Sequence, residues 1–191
     1  MTNTINFSEL NPSKVLKSSF LKTYEETRGL IARELLRLRS NLFILGKLLS
    51  FPSELFLGFD KQDFFALVKI SLTESSLLII TKLITDTGTD LLSMLRFKNL
   101  VREQVKQKYI KAFDHILKEN KFSKTVDTSK KKVKSIRDNI IAHLVIDENL
   151  QLKIPDYAIP FEEIDLIAKE LKRLFDALCF SHMYIDPTHR I

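Results

Sequence analysis

The chain has 191 residues, 45% of them hydrophobic, with only four Gly, five Pro and no Trp. That length suits one domain with a sizeable core and excludes global disorder. Thirty basic against 24 acidic residues give a net charge of +6 and a pI near 9.3, a balance that favours an anionic partner, nucleic acid first. Cys179 is the only cysteine, which excludes an internal disulfide or a cysteine metal cage and fits a reducing cytosol.

Few chain-breakers among many Leu, Lys and Glu point to long helices. The expected fold is all-α: an up-and-down bundle of about five long helices. The expected organisation is a lead-in over 1–18, one helical domain over 19–185 and a tail over 186–191. Met1–Asn6 carries no basic region followed by an apolar core, so no signal peptide is expected. Runs such as Leu77-Leu78-Ile79-Ile80 are too short to span a bilayer, so no membrane contact is expected and the chain reads as cytoplasmic.

Residues 1–18 suit a poorly ordered lead-in or a short helix that Ser8 could cap and Pro12 limits. A long amphipathic helix is expected from Phe20 to Ser50. Ile31, Leu35, Leu38, Leu42, Leu45 and Leu49 alternate spacings of four and three, the seam of a helix bundle. Arg28, Arg33, Arg37 and Arg39 fall mostly off that seam, as a solvated face rather than a nucleic-acid surface. Phe51-Pro52-Ser53 ends the helix. A second helix should begin after Asp60 and run to about Thr85, with Phe64, Leu67, Val68, Leu72, Leu77, Ile80 and Ile84 on its core side. After a break at Gly88, a third helix is expected over about 90–118, carrying Leu91, Met94, Val101, Val105, Ala112 and Ile116. His115 reads as a partly exposed helix residue rather than a ligand.

Glu119–Asp127 is polar and aperiodic, so a loop is expected there. A helix over about 128–144 follows, capped by Asp127 or Thr128. Lys130, Lys131, Lys132 and Lys134 would then lie in its first turns, at the positive end of the helix dipole. They suit either a solvated charge run or a helix end that accepts phosphate. Leu144–Ile146 and Leu150–Ile154 around a polar turn suggest a small β-hairpin near 144–154, or an extended loop. Pro160 suits the start of a last helix, with Glu162 and Glu163 in its first turn and a seam of Ile164, Ile167, Leu171, Leu174 and Leu178.

Strong catalytic signatures are absent. There is no Gly-x4-Gly-Lys-Ser/Thr loop, no His-Glu-x-x-His and no Gly-x-Ser-x-Gly, and four dispersed histidines make no metal spacing. No cofactor and no metal are expected. One stretch stands out: Ser135-Ile136-Arg137-Asp138-Asn139-Ile140-Ile141-Ala142-His143. At 100° per residue, Val133, Ile136, Ile140 and Leu144 form an apolar stripe. Arg137 falls on one flank of it and His143 on the other, with Asn139 one turn before His143. The residues alone leave two readings open. A histidine near a helix end is often a favourable charge against the dipole and an arginine an ion-pair partner. An arginine beside an apolar stripe also suits a water-lined cleft or a partner.

Arg137-Asp138-Asn139-Ile140-Ile141-Ala142-His143 resembles the motif of the HEPN superfamily: an arginine followed by a polar residue, then a histidine four to six residues on. Leu83-Ile84-Thr85-Asp86, closing an apolar helix before a loop, is similar to the Leu-x-Asp region of the AbiU-like, abortive-infection branch. The helix order fits over roughly residues 20–180. Val145 stands two residues after His143, where one variant of the family carries a tyrosine, so the resemblance does not extend to an antitoxin that modifies that tyrosine. The resemblance implies a helical bundle, a homodimer and metal-independent RNA cleavage in host defence or as a toxin. It implies His143 for proton transfer, Arg137 for the scissile phosphate, Asp138 and Asn139 in secondary roles, and Lys130, Lys131, Lys132 and Lys134 as RNA-backbone contacts. RNA and an antitoxin or other defence protein are the implied partners. The chemistry agrees, since RNA carries its own 2′-OH nucleophile, histidine titrates near neutrality and a guanidinium suits phosphate oxygens. One His143 per chain leaves an acid or a base to be supplied, which a two-fold dimer would do. The alternative is a non-catalytic HEPN module that binds RNA, nucleotide or a partner protein.

Overall fold

The computed structural model describes residues 7–52, 59–85, 93–142 and 160–180, without the side chains of Ser8, 59–63 and 137–142. Among the described residues the α-helices are α1 (Pro12–Val15), α2 (Leu21–Ser50), α3 (Phe59–Ile84), α4 (Met94–Gln104), α5 (Gln107–Glu119), α6 (Phe122–Ala142) and α7 (Phe161–Leu178). The expected all-α bundle is what forms. The proposed hairpin near 144–154 lies outside the described residues.

Four long helices make a ring: α2 packs on α3 and α7, and α6 packs on α3 and α7. Asn41 of α2 donates to Ser75 of α3 (3.0 Å) and Lys82 pairs with Glu34 (3.2 Å), so these two run antiparallel. Tyr24 bonds Leu178 at one end of α2, while Gly46 faces Phe161 near the other, so α7 also opposes α2. Arg173 of α7 donates to Asn120 just before α6, whereas Lys132 lies beside Leu166, so α6 opposes α7. The direction alternates around the ring.

The α2 seam is buried through Ile31, Leu35, Leu38, Leu42 and Leu45, but Leu49 is exposed. The seam runs past the end of the core there. Phe64 and Leu67, expected on the core side of α3, are also exposed, while Leu77, Ile80 and Ile84 are buried. The α3 core begins only where α2 still lies opposite. Residues Phe64–Ile84 of α3 have a mean hydropathy of 1.6 and are long and apolar enough to cross a bilayer. The run Leu77-Leu78-Ile79-Ile80 is part of this longer segment. All five seam residues of α7 are buried, and Glu162 and Glu163 occupy its first turn as expected.

Pro12 starts a helix rather than limiting one. It takes the first position of α1, where its missing N–H costs nothing, and Asn11 caps the turn by accepting from the Ser13 N–H (2.9 Å). Phe7, Val15 and Leu16 are buried, so this segment belongs to the core. The expected third helix is two helices, broken at Val105-Lys106 with no Gly or Pro. The Lys17 N–H donates to the Gln104 carbonyl (3.0 Å) and the Lys106 N–H to the Val15 carbonyl (2.8 Å), a two-bond antiparallel bridge that replaces helical bonds. Arg102 and Asp114 then tie α4 to α5 through two guanidinium–carboxylate bonds of 2.7 and 2.9 Å. Those bonds hold the Asp114 carboxyl below the usual carboxylate range.

Candidate active site

The helix bearing the motif starts at Phe122, six residues before the position expected from sequence. The reversal from α5 needs only Asn120 and Lys121. The Asn120 side chain donates back to the Ile116 carbonyl (2.9 Å), and Lys121 adopts φ 47°, the left-handed conformation that turns the chain. Phe122, Val126, Ser129, Val133 and Ile136 then form the buried stripe of α6, at alternating spacings of four and three. The polar look of 119–127 hid this, because the stripe there consists of just two large apolar residues.

An earlier start moves the lysines. Lys130, Lys131, Lys132 and Lys134 are all exposed, but they lie in the middle of α6 rather than at its N-terminal end. Free N–H groups and the positive dipole end are therefore not beside them. The structure also separates them. Lys132 lines a shallow groove of about 270 Å³ between α6 and α7 together with Lys121, Lys124, Thr125 and Thr128. By helical register Lys130 and Lys134 fall on the opposite side of α6. Glu170 on the α7 wall is already engaged by Arg173 at 2.6 Å, so the groove keeps its positive balance. Lys121 and Lys124 are the members that sequence reasoning missed. Their signal was the spacing of 121, 124, 128 and 132 along one helical face, legible only once the start of α6 is known.

Arg137, Asp138 and Asn139 lie in the last two turns of α6; their side chains, and all of His143, are outside the described residues. What the structure fixes is the motif's place in the bundle. With α6 antiparallel to α7, the last turns of α6 are at the end where α2 finishes at Ser50 and α3 and α7 begin. By register, Asn139 follows Lys132 by seven residues on the same helical face, about 10 Å further along the axis. The face that begins at Lys121 thus leads to Asn139, whereas Arg137 follows Lys130 by seven residues on the opposite side of the helix.

The two ends of the bundle differ. The end away from the motif is sealed by rings: Tyr24 stacks on Phe97 (5.8 Å) and Phe180 (5.6 Å), and Phe7 meets Phe113 and Phe180. At the motif end Phe43, Ile44, Leu49, Phe51, Phe64 and Leu67 are exposed.

Arg28 is the clearest departure from the expected solvated face. It is 7% exposed; its Nη1 donates to the Phe180 carbonyl (3.1 Å), Nη2 pairs with Glu25, and the guanidinium sits over the Tyr24 ring at 5.4 Å. Its Nε is buried with no hydrogen-bond partner. Burial pushes the Tyr24 phenol above its ordinary value and the neighbouring Cys179 thiol up to about 12. Tyr24 stays a hydroxyl and Cys179 a neutral thiol. His115, paired with Glu119 at 3.4 Å, is an exposed helix residue as expected.

An alternating helical bundle with a lone basic and polar motif at the end of one long helix defines a helical module without a phosphate loop. The chain belongs to the AbiU2 family of HEPN proteins: that family's model matches residues 22–187, most of the chain. It is thus an abortive-infection HEPN module. No curated protein and no solved structure matches it.

Proposed function

We propose that the chain is a metal-independent endoribonuclease whose active site is shared by two copies, acting in host defence or as a toxin. In this reading Arg137 holds the scissile phosphate, and His143 from the two copies serves as base toward the 2′-OH and acid toward the leaving 5′-oxygen. The product is a 2′,3′-cyclic phosphate. Asn139 and Asp138 orient the histidine or the substrate. The α6–α7 groove of Lys121, Lys124 and Lys132 holds the RNA backbone on its way to the motif. Lys130, Lys131 and Lys134 belong to the wider basic surface.

One observation carries the reading. The motif's end of the bundle is also where Ile44, Leu49, Phe51, Phe64 and Leu67 are exposed outside the α2–α7 side, whereas the far end is sealed by aromatic rings. A surface of that kind suits a partner, and a second copy placed there brings two motifs into one cleft.

The test is cleavage of single-stranded RNA in EDTA, comparing the chain with His143→Ala and Arg137→Ala. Loss of a positioned acid–base group lowers the rate by about 10²–10⁴-fold. Unchanged cleavage by His143→Ala rejects that residue's assignment. RNA binding with no cleavage by the unaltered chain identifies a binding module instead.

A further inference from the structure

A second groove lies on another side of the bundle. It runs between the outer faces of α2 and α7 and encloses about 1050 Å³. Its α2 wall is a second heptad-like stripe: Ala32, Leu36, Arg39, Phe43, Gly46 and Ser50, at spacings of four, three, four, three and four. That stripe stands beside the buried seam, one residue on from each seam position. Leu36 is 56% and Phe43 65% exposed, so the stripe has the pattern of a helix–helix contact without a helix on it. From Gly46, opposite Phe161, to Arg28, beside Cys179, the groove spans 18 residues of α2, about 27 Å or five turns. Gly46 sets its depth at one end: a Cβ there would meet the Phe161 ring at 3.0 Å.

The charges around this floor are unbalanced. Five basic residues line the groove against two acidic ones. Lys169 and Lys172 are neutralised by Asp165 and Asp176, each at 2.6 Å, and Arg28 by Glu25. Arg39 and Lys47, eight residues apart on α2, have no carboxylate partner among the described residues; Lys47 rests over the Phe43 ring at 5.6 Å. An apolar floor with unpaired cations on its edge calls for a ligand with an apolar face and flanking carboxylates.

We infer that the α2–α7 groove docks an acidic amphipathic helix of a partner protein, whose apolar side chains fall between Leu36, Phe43 and Ala168 and whose carboxylates meet Arg39 and Lys47. Nucleic acid fits less well. The floor is mostly aliphatic, and its one well-exposed ring, Phe43, already carries a cation on its face. Residues 181–191 of this chain fit less well in charge, with Asp186 set against Arg190 and two histidines. The site is separate from the α6–α7 groove and does not depend on RNA cleavage.

The experiment uses the full chain and two fluorescein-labelled 18-residue helical peptides. Both carry leucine at helical spacings of three and four, one with glutamates on its flanks and the other with lysines. The glutamate peptide binds at least about ten-fold more tightly, and the difference shrinks with added salt. Phe43→Glu removes binding, while Leu78→Glu, on an exposed α3 site, leaves it intact; circular dichroism confirms that both are folded. Arg39→Glu with Lys47→Glu inverts the preference between the peptides. Equal affinity for both peptides overturns the inference, as does binding unaffected by Phe43→Glu. So does displacement by single-stranded RNA or by a peptide of residues 181–191. A dimer mass that Phe43→Glu alone reduces to one chain assigns the groove to a second copy, and likewise overturns it.

Discussion

Tyr24→Phe removes one oxygen atom from the core and nothing else. The Tyr24 hydroxyl accepts from the Phe180 N–H (2.9 Å) and donates to the Leu178 carbonyl (3.2 Å), and its ring is fully buried. Arg28 donates to the Phe180 carbonyl, in the next peptide group along. These bonds are what fasten the end of α7 to the start of α2. Phenylalanine keeps the stacking on Phe97 and Phe180, so the packing loss is small. The Phe180 N–H is left buried without an acceptor, and the Leu178 carbonyl loses this donor. An orphaned buried group costs about 1–3 kcal/mol, and the pair about 2–3 kcal/mol here, since a carbonyl tolerates a lost partner better than an N–H does. For a domain of this size that lowers Tm by roughly 4–12 °C. Circular dichroism at 222 nm during heating measures it, and urea unfolding checks it independently. A Tm within 1 °C of the unaltered chain refutes the reasoning, because it means that the hydroxyl carries no net hydrogen-bond energy.

Three further outcomes are expected. The half-buried Cys179 thiol, pushed up to about 12 by desolvation, reacts with a disulfide reagent at pH 8 roughly 10³-fold more slowly than a free thiol, because its thiolate fraction falls by that factor; full reactivity returns in urea, and equal native and unfolded rates would contradict the shift. Lys121→Ala, Lys124→Ala and Lys132→Ala together weaken single-stranded RNA binding and lower the slope of log K against log salt by about 0.7 for each phosphate that is no longer neutralised. Lys130→Ala with Lys134→Ala changes that slope less, as fluorescence anisotropy at several salt concentrations will show. Asp114, held below its ordinary value by Arg102, stabilises the fold above the unfolded carboxylate pKa and loses that contribution as pH falls through its folded value. Asp114→Asn is therefore less stable than the unaltered chain at pH 7 in urea unfolding, with a gap that narrows toward pH 3; a gap constant with pH would exclude the ion pair as its source.

Much of the bundle is legible in the residues themselves. The four-three repeats of α2 and α7 place Ile31, Leu35, Leu38, Leu42 and Leu45 against Ile164, Ile167, Leu171, Leu174 and Leu178. The run from Arg137 to His143 is the stretch that carries the resemblance to the family, with no other motif in the sequence to rival it. Periodicity is a local property, and these helices carry enough of it to be read without a partner.

What the tertiary structure decided is everything that depends on a distant neighbour. Nothing local breaks a helix at Val105; the backbone of residues 15–17 does, by taking its hydrogen bonds. Nothing local starts α6 at Phe122, since Lys121 must first adopt a left-handed turn and Phe122 must find the core. That start moved four lysines off the helix terminus and brought Lys121 and Lys124 beside Lys132. Arg28 looks like any surface arginine until Phe180, 152 residues away, arrives to accept a hydrogen bond from it. The sequence determined the long helices α2 and α7 and that Arg137 lies on a helix. The fold decided which helix faces are buried, which charges meet, and which stripe of α2 stays exposed, because burial belongs to the pair of surfaces and not to either alone.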